Sequence, residues 1–256
     1  MKLSLAITVI LVELGAGVLL TMPLVPIKEV RSSFFTFHSL MAMVCFVLAA
    51  CICGFVLRSS PWLTGMLVAL ALLCIGSFSA VRLRKFDLMQ YLHMGGSVLG
   101  IACLFGLAAY WLSPFALWRW WSTILGCALL GTAHNAMALG HWYLISRNLS
   151  FAYLIRITKL LLLALGLRSA YLVFYLYSVF LNPTDTLYLD GRLLSINGDL
   201  VFFLFRVLWG LALPLVLAFM AWRCAVGKSN QAATGLLYLC EFSVLFGELF
   251  AAYLMI

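Results

Sequence analysis

Eight apolar runs of about 20 residues, each long enough as a helix to cross the hydrocarbon core of a bilayer, follow one another along the chain. They lie at about 3–22, 34–57, 62–82, 90–112, 121–145, 160–181, 200–222 and 232–255. In lipid the backbone must satisfy its own hydrogen bonds, and runs of this length do so as helices. Of the 256 residues, 66% are hydrophobic and 9% charged, with a mean hydropathy of +1.13. That balance excludes a soluble globular enzyme, a disordered tail and a disulfide scaffold. The expected fold is therefore all-α: a polytopic integral membrane protein, with residues 1–256 forming one transmembrane helical domain. The residues left over are too few for a folded domain outside the membrane.

Met1 and Lys2 before an apolar run could pass for a signal peptide. Glu13 interrupts that run and no small-x-small site precedes Pro23, so the segment reads as a retained first span. Pro23, Pro26, Pro61, Pro114 and Pro183 fall between spans, whereas Pro214 lies inside the seventh and predicts a kink. Residues 146–159 read as an interfacial turn leading into the sixth span. The eight cysteines form no CxxC or haem-attachment pattern and read as small apolar residues.

The net charge of +8 is distributed as a membrane protein distributes it, and no nucleic-acid partner is implied. The connections after the odd-numbered spans hold Lys28, Arg31, Arg82, Arg84, Lys85, Arg147, Arg156, Lys159, Arg223 and Lys228. The opposite side holds Lys2, Arg58, Arg119 and Arg192. This bias places the first set in the cytoplasm and both termini outside. Length and loop charge suggest a bacterial or archaeal plasma membrane. The longest connection, the outer loop 182–199, carries Asp190-Gly191 between short apolar stretches, a hairpin signal.

Ionisable residues inside spans are functional candidates. Counting from the cytoplasmic ends, Glu13 and Glu241 lie about 13 Å deep, Arg168 about 12 Å and His134 about 16 Å. These four are expected to share a midplane layer and to carry any catalysis or proton transfer. Arg206 and Glu248, about 24 Å deep on adjacent spans, are expected to form a structural ion pair. Arg168 can then neutralise only one of Glu13 and Glu241, leaving the other as a neutral acid suited to proton transfer. The alternative is that all these groups simply hydrogen-bond helices together.

His38, His93 and His141 fall within about 6 Å of the cytoplasmic end of their spans. His38 and His93 read first as interfacial side chains reaching water. A pair drawn from the three could instead ligate one haem b, since two imidazoles are needed at matching depth. The segment from Thr132 to Tyr143 places Asn135, His141, Trp142 and Tyr143 beside His134, a set suited to a flat ligand such as a quinone head group. Walker A, HExxH and GxSxG motifs are absent, so an enzymatic activity of the chain's own is neither indicated nor excluded.

The first span, Leu11-Val12-Glu13-Leu14-Gly15-Ala16-Gly17-Val18-Leu19-Leu20, resembles the glycine-rich first helix of NrfD-type (polysulfide-reductase-type) quinol-interacting membrane subunits. The likeness extends to eight spans with short loops. It implies electron exchange between quinol and iron–sulfur partners, although this chain is shorter than is usual there. The expected function is thus a quinone-binding, proton-conducting membrane subunit of a respiratory or electron-transfer complex, working with other membrane and redox subunits in the lipid bilayer. A small proton-coupled transporter and an accessory or scaffold subunit are the alternatives.

Overall fold

A computed structural model describes residues 2–25, 27, 29–30, 32–57, 61–111, 117–145, 149–181 and 199–255. The hairpin expected within loop 182–199 lies outside them. Among the described residues there is no strand. The helices are α1 (Lys2–Thr21), α2 (Ser32–Cys51), α3 (Pro61–Arg82), α4 (Phe86–Trp111), α5 (Leu117–Ile145) and α6 (Phe151–Leu181), then α7 (Asp199–Val207), α8 (Leu213–Val226) and α9 (Asn230–Met255). A π turn, Leu208–Ala212, joins α7 to α8, so eight helical segments are long and apolar enough to cross a membrane. The kink expected from Pro214 takes this form. Proline has no N–H for the carbonyl four residues back, and a wider turn just before it absorbs the mismatch.

Short connections set the antiparallel order. At two of them the chain turns through a basic residue in the left-handed region, Arg84 (φ 57°) and Lys228 (φ 59°). Each turn closes the preceding helix with paired bonds. Lys85 N–H reaches the Ala80 carbonyl (2.9 Å) and Arg84 N–H reaches Val81 (3.1 Å). Ser229 and Lys228 repeat the pattern on Cys224 and Ala225. A side chain costs about 1 kcal/mol in that conformation, so Lys228→Gly is expected to raise stability by up to about that amount. Thermal melting of the detergent-solubilised protein checks this; a lower melting temperature contradicts it.

α1 and α5 are the most enclosed helices and pack directly on each other. α1 also meets α2, α4 and α9, and α5 also meets α6 and α9. The first four spans bury one apolar core, built on Phe46, Leu63, Leu67 and Leu104. Most of the second core comes from α5, α6, α8 and α9, with the ends of α1 and α2. Glycine permits the close approach of α1 and α5: a Cβ on Gly17 would strike the Cys127 carbonyl, and one on Gly131 would lie 2.8 Å from the Gly17 Cα. Outward-facing positions carry large apolar side chains, among them Phe55, Leu72, Val98 and Val173.

The start of α6 and the depth at which α1 ends differ from the sequence reading, and both matter for the polar residues. α6 begins at Phe151, so Arg156 and Lys159 belong to its first turns and residues 151–159 are helix, not an interfacial turn. α1 ends level with the interior of α5, because Thr21 hydrogen-bonds Asn135, ten residues before the end of α5 at Ile145. Met22, Val25 and Val30, just beyond α1, are buried in the second core.

Candidate functional site

These boundaries redistribute the buried charges. Counted from Phe151, Arg168 lies about 26 Å along its helix, close to the roughly 27 Å of Glu248 counted from Asn230. Glu13 abuts Gly126, where an added Cβ would be 2.8 Å from its Oε1. Gly126 is about 28 Å from the end of α5. Glu13 and Arg168 therefore leave the expected midplane layer and join Glu248 and Arg206. Two separate polar layers result.

In the first, the Arg168 guanidinium forks onto Glu248, Nε to Oε1 at 2.9 Å and Nη2 to Oε2 at 2.5 Å. Its Nη1 donates to the Ser122 carbonyl (3.0 Å) and to Ser122 Oγ (2.7 Å), while Tyr171 lies under the guanidinium at 5.6 Å. Bidentate geometry and a filled donor set allow such a pair to be buried. The expected Arg206–Glu248 ion pair is corrected accordingly. Arg168 holds both carboxylate oxygens, and no ion pair joins Arg206 to Glu248 among the described residues. Arg206 is still held near Glu248, because Gly210 and Gly247 bring the π turn and α9 into backbone contact. Glu13 interacts with Glu248, Arg168 and Arg206, so two carboxylates face two guanidiniums. The layer joins five helices.

The second layer is smaller. His134 Nδ1 lies 2.6 Å from Glu241 Oε1, joining α5 to α9 at about 16 Å from each helix's nearer end. His134 is buried, whereas the Glu241 side chain keeps 21% of its surface exposed, one helical turn from the exposed Tyr238. His38 is fully buried beside it, with ring centroids 5.2 Å apart. The His38 Nδ1–H donates to the Phe34 carbonyl at 2.7 Å. Phe34 packs on His38 at 4.1 Å and edge-on to Trp142 at 5.4 Å. Phe37 stacks over His134 at 6.5 Å and meets His38 edge-on at 5.3 Å. Nε2 of both histidines is buried with no hydrogen-bond partner in the structure.

His93 is also buried, so the reading of His38 and His93 as water-facing interfacial groups is corrected. Both sit beneath neighbouring helices: Phe34 and His134 cover His38, while α2 and α3 cover His93. His93 Nε2 meets Ser77 Oγ at 2.6 Å and Ser39 Oγ at 3.2 Å, and the two hydroxyls lie 3.0 Å apart. That engages the nitrogen a haem would use. His141 is exposed and bonds Tyr238 across to α9 at 2.9 Å. Among the described residues no ring contact joins any two of His38, His93 and His141, and no group of three His, Cys, Asp or Glu could hold a metal ion. All eight cysteines are free thiols.

The expected ligand set around His134 is likewise spread out. Asn135 turns to α1 and donates to Thr21 Oγ1 at 2.5 Å, Tyr143 donates to the Ser150 carbonyl, and His141 faces outward. Successive helical residues point about 100° apart, so one segment cannot aim all of them at one ligand. Only Trp142 reaches the His38 neighbourhood, through Phe34. Phe34, Phe37, Ser39, Ser77 and Ser122 were not singled out in the sequence. The serines could have been found as polar residues inside apolar spans, but the phenylalanines carry no such signal. No family model, curated protein or solved structure matches the chain.

Proposed function

We propose that this chain is an integral membrane protein that crosses a bacterial or archaeal plasma membrane eight times with both ends outside. In this reading it is the quinone-binding subunit of an electron-transfer complex. The observation that carries it is the His134–Glu241 pair, a hydrogen-bonded acid–base couple at mid-depth with its carboxylate partly exposed. A quinol dissolved in lipid needs such a couple to lose its hydroxyl protons. With Nδ1 donating to Glu241, His134 Nε2 carries a free lone pair and accepts a hydroxyl proton. The Nδ1 proton then moves to Glu241. One electron leaves with this proton to a redox centre on a partner subunit, as the resemblance of the first helix to quinol-interacting subunits implies. After Glu241 passes its proton on, the second hydroxyl proton takes the same path as the second electron leaves. The Arg168 layer, with its bidentate pair to Glu248, holds the helices around this couple and takes no part in the transfer.

Glu241→Gln keeps the size and the hydrogen bond but cannot take up the proton. Quinone-linked turnover in native membranes is expected to fall about a hundredfold with assembly unchanged. Full turnover in this variant rejects the reading. The transporter alternative predicts proton-dependent flux by the purified chain alone in liposomes, and the scaffold alternative predicts a change in assembly yield only.

A further inference from the structure

At the end of the bundle where α2 begins and α3 ends, the surface opens into a cleft of about 550 Å³. Thr36, Arg82 and Arg84 give it a polar wall, and Phe37 and Leu40 an apolar one. Phe37 occupies a particular place. It lines the cleft, is half exposed, and its ring meets His38 edge-on and stacks on His134. On both of these imidazoles the Nε2 atom is buried with no hydrogen-bond partner in the structure. Each ring is already oriented through Nδ1, His38 by the Phe34 carbonyl and His134 by Glu241. An imidazole whose Nδ1–H donates has a bare lone pair at Nε2, so both nitrogens are acceptors awaiting a donor. Leaving buried polar atoms unmatched costs free energy, which a ligand with hydroxyl groups would recover.

We propose that Phe37 is a gate: when its side chain swings out, the cleft extends to His38 and His134, whose Nε2 atoms receive the hydroxyls of a quinol-type ring. The amphipathic cleft then holds the remainder of the ligand, apolar tail against Phe37 and Leu40. Assigning a quinol ring rests on the functional reading above; the gate does not. His38, absent from that reading, becomes the second positioning group for the head group.

The test uses the full chain purified in dodecyl maltoside, with diethyl pyrocarbonate as the probe for bare imidazole nitrogens and peptide mass spectrometry as the readout. Exposed His141 serves as internal standard. Phe37→Ala is expected to speed labelling of His38 and His134 about tenfold relative to His141, as expected if the open state is a minor population in the native chain. Phe37→Trp is expected to slow it. Decylubiquinol should protect both histidines in the native chain, and His38→Gln should weaken its binding about tenfold. Labelling unaffected by either Phe37 variant overturns the gate. Faster labelling in Phe37→Ala without protection by decylubiquinol overturns the quinol assignment and the functional reading with it. Protection that survives unchanged in His38→Gln removes His38 from the site while leaving that functional reading standing.

Discussion

Arg168→Met is expected to destabilise the folded chain by about 3–5 kcal/mol, because it leaves the Glu248 carboxylate buried without its counter-charge. The loss has three parts. Both carboxylate oxygens lose their donors, Ser122 loses two bonds, and Arg206, which lacks the bidentate geometry, does not replace the missing guanidinium. The methionine stem keeps much of the packing volume, so electrostatics dominates the effect. In a detergent melting experiment the expected drop is on the order of 10 °C. The double variant Arg168→Met, Glu248→Leu should recover a large part of it, since removing both charges removes the desolvation problem as well. Equal melting temperatures for Arg168→Met and the native chain would contradict the role assigned to this layer.

Gly17→Ala carries the second large effect, with a cause that is purely steric. The new Cβ would meet the Cys127 carbonyl and sit 2.9 Å from its carbon and 3.0 Å from the Gly131 nitrogen. All of these are backbone atoms that cannot turn aside, so α1 must move away from α5. Separation there also strains the Asn135–Thr21 bond and the seat of Glu13 against Gly126. A loss of about 3 kcal/mol is expected, at the upper end for overpacking. Gly166→Ala is the control, because nothing lies within 4 Å of its added methyl. There the helix propensity of alanine should raise stability by up to about 1 kcal/mol. The yield and melting temperature of monodisperse protein measure both; a loss of the same size at Gly166 would refute the close-approach argument.

The spans were legible because length and hydropathy decide them locally, and all eight are present as helices long and apolar enough to cross a membrane. His134 and Glu241 were placed at similar depth because the ends of α5 and α9 were read nearly correctly, but their pairing was not read, since Glu241 was expected to compete with Glu13 for Arg168. Arg168 and Glu13 were misplaced for one reason. Depth was counted from helix ends, and those ends are set by packing: α6 starts nine residues earlier than expected, at Phe151 and not at 160. The end of α1 lies deep against α5 because Gly17 and Gly131 let the two backbones register there. The choice of Arg168 over Arg206 for Glu248 is likewise a matter of which side chain can present its fork, which no residue count reveals. The aromatic surroundings of His38 were hidden because Phe34 and Phe37 look like any other residues of an apolar span.

Two layers with different work is the central claim, and a paired comparison of Glu241→Gln with Glu248→Gln tests it most directly. Each purified variant is assayed for melting temperature and for binding of decylubiquinol. Glu248→Gln is expected to melt well below the native chain, with the fraction that remains folded binding normally. Glu241→Gln is expected to melt within a few degrees of the native chain and, because a neutral amide leaves the His134 Nε2 a weaker acceptor than a carboxylate does, to bind the quinol about tenfold more weakly. A stable Glu248→Gln that has lost binding, beside an unstable Glu241→Gln that retains it, would contradict the account.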